Sequence, residues 1–164
     1  MLGERTFPTL RRAIALVGTV ALAGTIVPAG AAGRGSAPET PDHEAKAVKI
    51  RMDIEGTAIT ATLLDTATAE DFASLLPLTL TLEDYAATEK IGYLPRRLST
   101  EGAPPGSDPS IGDIAYYSPW GNLALFYKDS GYAGGLVELG KLDSGVEALN
   151  RLGPLTVTIE LVGK

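Results

Sequence analysis

A mainly β domain, closed into an antiparallel barrel of about eight strands with two short helices, is what this sequence predicts. Three observations carry that reading. Apolar and polar residues alternate over several short runs, most clearly through Val48, Ile50, Met52 and Ile54 and again through Leu155, Val157, Ile159 and Leu161, the period of a strand with one buried face. Turn residues separate the runs at short intervals. Two segments with helix-start chemistry fall after the first pair of runs and before the last one. Seven or eight strands with a single buried face favour closure, because a closed sheet leaves no edge unpaired.

Composition narrows what such a domain can do. With 164 residues, 45% of them apolar and 21% charged, there is room for one domain with a real core. There is no cysteine, which excludes disulfides, thiolate nucleophiles and Cys-ligated zinc. A formal charge of −6 repels phosphate backbones, so no nucleic-acid partner is expected. Arg5, Arg11 and Arg12, the uncharged run 13–27 and the small residues Ala29-Gly30-Ala31 predict a signal peptide over residues 1–31. The protein is then secreted or periplasmic. Arg11-Arg12 leaves the twin-arginine and the general export routes both open. The run falls short of the roughly 20 apolar residues a span needs, so no stable membrane span is expected after cleavage. Residues 32–47 show no apolar period and read as a disordered linker to a domain at 48–164. The only histidine, His43, lies in that linker, which denies the domain a Ser-His-Asp triad.

Along the domain, the run from Val48 turns at Glu55-Gly56-Thr57 into a second through Ile59, Ala61 and Leu63, a first hairpin. Thr68 is the expected N-cap of a helix carrying Glu70 and Asp71 in its first turn and Phe72, Leu75 and Leu76 on one face, stopped by Pro77. Leu78, Leu80 and Leu82 resume period two. Residues 83–85 and 91–94 hold one further short strand. Residues 99–110, rich in Gly and Pro, predict a long loop. Two aromatic and apolar runs, 114–118 and 123–128, flank Pro119-Trp120-Gly121-Asn122 and predict a hairpin of two adjacent central strands. In the strand 136–142, Gly140 suggests a bulge or a close backbone approach. Ser144 and Glu147 have the spacing of a capping box for a second short helix.

Several residue groups could carry chemistry. Trp120 and Tyr117 could anchor a peptide or small ligand as readily as pack in a core. Glu83, Asp84 and Glu89 match no metal-loop spacing and read as a solvated acidic face. Gly134-Gly135 is not followed by a phosphate-loop pattern. Arg96-Arg97 could contact an amide or a carboxylate, although surface arginines beside Pro95 are the plainer reading. No cofactor and no metal site are predicted.

The order hairpin, helix, several strands, helix, strand, together with the segment Val137-Glu138-Leu139-Gly140-Lys141-Leu142-Asp143-Ser144-Gly145, resembles the cyclophilin fold. The segments Ala73-Ser74-Leu75-Leu76-Pro77, Ser99-Thr100-Glu101-Gly102 and Gly112-Asp113-Ile114-Ala115-Tyr116-Tyr117, with Pro119-Trp120-Gly121-Asn122, are similar to the bacterial cyclophilin-like domain family, small barrels of unassigned activity. The resemblance spans 48–162. True cyclophilins are peptidyl-prolyl isomerases that use an arginine, an apolar pocket and a glutamine. The resemblance implies Arg97 as the catalytic arginine, or Arg96 by a shift of one. It places Leu125 and Tyr117 in the apolar pocket, Trp120 at the end of the groove and Tyr132 at its rim. The glutamine position falls on Leu123, which departs from the isomerase pattern. The expected function is therefore an exported cyclophilin-like protein that holds an extended peptide or a small apolar ligand in a groove on the barrel. The alternative is an extracytoplasmic peptidyl-prolyl isomerase. Ligand identity and oligomeric state are not written in the sequence.

Overall fold

The structure, a computed structural model, describes residues 47–163. The expected signal peptide, His43 and all of the expected linker but Ala47 lie outside the described residues. The elements in chain order are β1 (Val48–Ile54), β2 (Thr57–Leu63), α1 (Ala67–Ala73), β3 (Leu78–Tyr85), β4 (Glu89–Tyr93), β5 (Gly106–Ser107), β6 (Asp113–Tyr117), β7 (Asn122–Phe126), β8 (Ala133–Gly134), β9 (Leu136–Leu142), a 3-10 helix (Val146–Leu149) and β10 (Leu155–Leu161). Eight strands close an antiparallel barrel in the order β1-β10-β3-β4-β7-β6-β9-β2, and β5 pairs with β8 in a separate two-stranded sheet.

The period-two runs deliver their apolar side to the interior. In register, Met52 of β1 lies between Ile59 of β2 and Ile159 of β10, so three strands place these buried side chains in one layer of the core. The β1–β2 turn has both central residues at positive φ, Glu55 at 50° and Gly56 at 84°, the twist that matches two antiparallel strands. Asp53 Oδ1 accepts the Gly56 N–H at 2.9 Å. The β3–β4 turn also has two successive residues at positive φ, Ala86 at 49° and Ala87 at 55°, but no glycine to relieve it.

Gly140 makes the close approach its position suggested. A Cβ there would lie 2.3 Å from the Thr62 carbonyl oxygen of β2. The β6–β9 ladder also slips at this point, Ile114 pairing with Gly140 and Ala115 with Glu138, so Leu139 is the extra residue of a bulge.

The helices differ from expectation in detail. Thr66, not Thr68, caps α1, its Oγ1 accepting the Ala69 N–H at 3.3 Å. Thr68 is buried inside the helix, and Leu75 and Leu76 follow its end while still packing on the core. The capping box at Ser144 does not form. Gly145 takes the N-cap position at φ 80° with no side-chain cap bond, and only a four-residue 3-10 helix follows. Its Ala148 and Leu149 still reach the core, so a single turn does the plugging expected of a helix. The 99–110 loop contributes β5 to the small sheet.

Candidate functional site

β6 and β7 are buried on both faces. Ile114, Tyr116, Leu123 and Leu125 point into the barrel core. The alternate residues Ala115, Ala124 and Phe126 point the other way and join Ile91 of β4 and Leu136 of β9 in a second apolar cluster, with Tyr117 and Ala133 against it. One stretch of barrel wall thus separates two cores. A cavity of about 220 Å³ opens on the outer one, lined by Tyr85, Tyr117, Trp120 and Phe126 together with the polar Glu89 and Asn122.

Trp120 is placed by its turn. The N–H groups of Trp120 and Gly121 both reach the Tyr117 carbonyl, at 3.3 and 2.8 Å, and Leu94 N–H donates to the Gly121 carbonyl at 3.2 Å. Ser118 donates through both its N–H and its hydroxyl to the Gly135 carbonyl, each at 2.9 Å. From the other side, the Arg97 guanidinium donates to the carbonyls of Ser118 and Pro119. So held, the Trp120 ring meets Tyr85 and Tyr117 at near right angles, with centroids 5.3 and 5.4 Å away. It remains 43% exposed, a ring fixed in place yet open to the cavity.

Glu89 opens β4 and lies in register between Tyr85 of β3 and Phe126 of β7. Burial among these neighbours pushes its carboxyl from 4.5 up to about 7. Among the described residues no lysine or arginine pairs with it. The adjacent Lys90 faces the opposite way and is fully buried, donating to Asp84 Oδ2 at 2.7 Å and to the carbonyls of Arg151 and Gly153 at 2.6 and 2.8 Å. That ion pair, with a second bond to Asp84 from the Tyr127 hydroxyl at 3.1 Å, holds the Asp84 carboxyl below its ordinary value. Asn122 is 1% exposed. Its Nδ2 donates to the Leu123 carbonyl at 3.2 Å, and its Oδ1 has no hydrogen-bond partner. The donor bond fixes which way the amide points, because a carbonyl cannot accept from Oδ1.

The residues singled out in the sequence separate into three groups. Tyr117 and Trp120 line the cavity. Leu123 and Leu125 do not: both are 0% exposed in the barrel core, because the outward positions of β7 belong to Asn122, Ala124 and Phe126. Neither leucine can form a groove wall. Arg97 and Tyr132 are outside the cavity lining. Arg97 secures the Trp120 turn, and Tyr132, 64% exposed, lies close over Gly106 of the small sheet. Arg96 forms a two-pronged ion pair with Asp71, at 2.6 and 2.9 Å. With the Ser99 N–H at 2.8 Å this holds the Asp71 carboxyl at about 2. Sequence reasoning missed Tyr85, Asn122 and Phe126, and it placed Glu89 on a solvated face. Tyr85 and Glu89 flank the three-residue segment Ala86-Ala87-Thr88 and pair across it, and that pairing was the available signal. No group of three or more His, Asp or Glu among the described residues could hold a metal ion. Chemically, the cavity offers aromatic walls and one carboxyl poised near neutrality.

Comparison with known proteins agrees with this architecture. The sequence model described as the cyclophilin-like family matches residues 52–160. The solution structure of a hypothetical protein from Archaeoglobus fulgidus has the same fold, with 16% identity and a TM-score of 0.51 over 70% of this chain and 94% of that one. No curated protein matches the sequence.

Proposed function

The chain belongs to the cyclophilin-like family, and on that premise we propose that it is an exported binding protein whose outer cavity takes a small, largely apolar ligand or one side chain of an extended peptide. The observation that carries this reading is the aromatic corner of Tyr85, Trp120 and Tyr117 in a cavity that also takes in the Glu89 carboxyl. Apolar walls with a few placed polar groups are the usual make-up of a small-molecule site. At about 220 Å³ the cavity is below the ~300–1,000 Å³ of sites for drug-sized ligands, which favours a ligand the size of one side chain. The basic and apolar N-terminal run supports export.

Binding is tested by titrating the purified protein with toluene and with short peptides containing Pro or Phe, following Trp120 emission. Tyr117→Ala is expected to lose binding while circular dichroism stays unchanged. Unaltered affinity in that variant would sink the reading.

The alternative, an extracytoplasmic peptidyl-prolyl isomerase, draws on the family premise. A rotation about an amide needs electrostatic help and desolvation but no nucleophile. The binding reading is supported over it by the engagement of Arg97 with the turn carbonyls. The protein is therefore expected to leave cis-trans exchange of a Pro peptide unaccelerated. Acceleration at micromolar protein, abolished by Arg97→Ala, would favour the isomerase.

A further inference from the structure

We propose that the ligand of this cavity carries a protonated amine, seated beside the rings of Tyr85, Tyr117 and Trp120, with its N–H groups donating to the Glu89 carboxylate. This rests on the reading of the cavity as a ligand site and adds the chemistry of what enters it.

Two features point to that class. The Trp120 ring meets Tyr85 and Tyr117 at 89° and 82°, and the three rings together line the cavity; an aromatic wall attracts a cation through the negative potential above a ring face. Glu89 lines the same cavity without a cationic partner among the described residues. A charge partly withdrawn from water is costly unless it is paired. Lys90, its neighbour on β4, is engaged with Asp84 and two carbonyls, and Arg97, beside the Trp120 turn, with the carbonyls of Ser118 and Pro119, so an amine on the ligand would supply the charge that the ionised Glu89 lacks. A carboxylate pairs best with a cation that brings N–H donors, which an alkylammonium has and a quaternary ammonium lacks.

Other ligand classes fit less well. An anion would face the Glu89 carboxylate. A neutral hydrocarbon would fill the cavity but leave the Glu89 carboxyl unpaired and further desolvated. The acidic chain as a whole, at −6, also favours approach of a cation.

The chain's single tryptophan lies in the cavity, so its emission reports occupancy directly. The experiment titrates the protein at pH 8.5 and low salt with n-butylammonium, 1-butanol and tetramethylammonium, checking each by calorimetry. At that pH Glu89, with its pKa of about 7, is ionised. Charge-assisted hydrogen bonds of ~1.5–3 kcal/mol predict butylammonium binding roughly 10- to 100-fold tighter than 1-butanol, with tetramethylammonium weaker than butylammonium. Glu89→Gln is expected to remove the preference for the ammonium, bringing butylammonium to the affinity of 1-butanol measured on the same variant. Equal binding of butylammonium and 1-butanol would overturn the amine proposal while the small-ligand reading stands. Tetramethylammonium binding as tightly as butylammonium would overturn the hydrogen-bonded amine in favour of a quaternary cation. No binding of any probe, by emission or heat, would overturn both.

Discussion

Glu89→Gln should remove a loss of stability that the protein otherwise suffers between pH 4.5 and about 7. In the unfolded chain this carboxyl titrates near 4.5, and in the folded protein burial moves it to about 7. Between those values the native state keeps a proton that the unfolded state has lost. The resulting stability is fully present below pH 4.5 and is lost as pH rises, the loss being complete above about 7. At ~1.4 kcal/mol per pH unit the full difference corresponds to ~3 kcal/mol. Glu89 borders an open cavity, so solvent screening reduces the expected effect to ~1–2 kcal/mol. Gln has the same shape and no charge to bury. Urea denaturation followed by circular dichroism at pH 5, 6, 7 and 8 should give wild type and variant similar stability at pH 5. At pH 8 the variant should be the more stable by ~1–2 kcal/mol, on the order of 3–10 °C in Tm. Asp71, Asp84 and Asp143 are shifted the opposite way, below 3.8, and their contribution is lost only as pH falls below that value, outside the window. Parallel stability curves for the two proteins from pH 5 to 8 would refute the argument that Glu89 is desolvated.

Ala87→Gly should stabilise the domain by roughly 0.5–1 kcal/mol in the same denaturation assay, because relief of the left-handed φ at a non-glycine residue outweighs the extra freedom glycine has when unfolded; a loss of stability would mean that the turn is not of this type. Lys90→Met should cost ~2–4 kcal/mol, since it removes the partner of Asp84 and leaves two carbonyls at the barrel mouth without a donor. A neutral result in urea titration would contradict the three-bond arrangement. Leu123→Gln, which would supply the glutamine an isomerase wants, should instead lower stability by several kcal/mol by burying an unpaired amide in the barrel core, and a folded variant of wild-type Tm would place position 123 on the outer surface after all.

The barrel was legible because β1, β2, β3 and β10 have one buried face, and period two reveals one buried face. The same rule failed on β7. Leu123, Leu125 and Phe126 form part of a run that is apolar on both sides, so alternation could not tell core from groove, and the two leucines were given to the wrong face. Asn122 was the marker of the outward set, but it reads equally well as a turn residue. Glu89 and Lys90 were opaque for a different cause. A charged pair of neighbours on a strand looks solvated in any sequence window, and only the closure of the barrel sends Lys90 inward and leaves Glu89 among aromatic rings. The helix ends were displaced by two residues at α1, where Thr66 and Thr68 are equally good caps, and by competition from Gly145 at the 3-10 helix. Arg97 could be seen as important but not why, since its partners are main-chain carbonyls that a sequence does not single out.

The closed ring has a consequence for how any partner can be recognised. Every strand of the barrel has a neighbour on each side, so among the described residues no barrel strand is a free sheet edge onto which a peptide could add along its whole length. The small sheet offers only two residues per strand, too few for a ladder. Backbone zippering, which rewards length and tolerates many sequences, is closed to this domain. On the proposed binding reading, selectivity would rest on side chains gripping one chemical group, and a free small molecule could satisfy that grip as fully as a polypeptide.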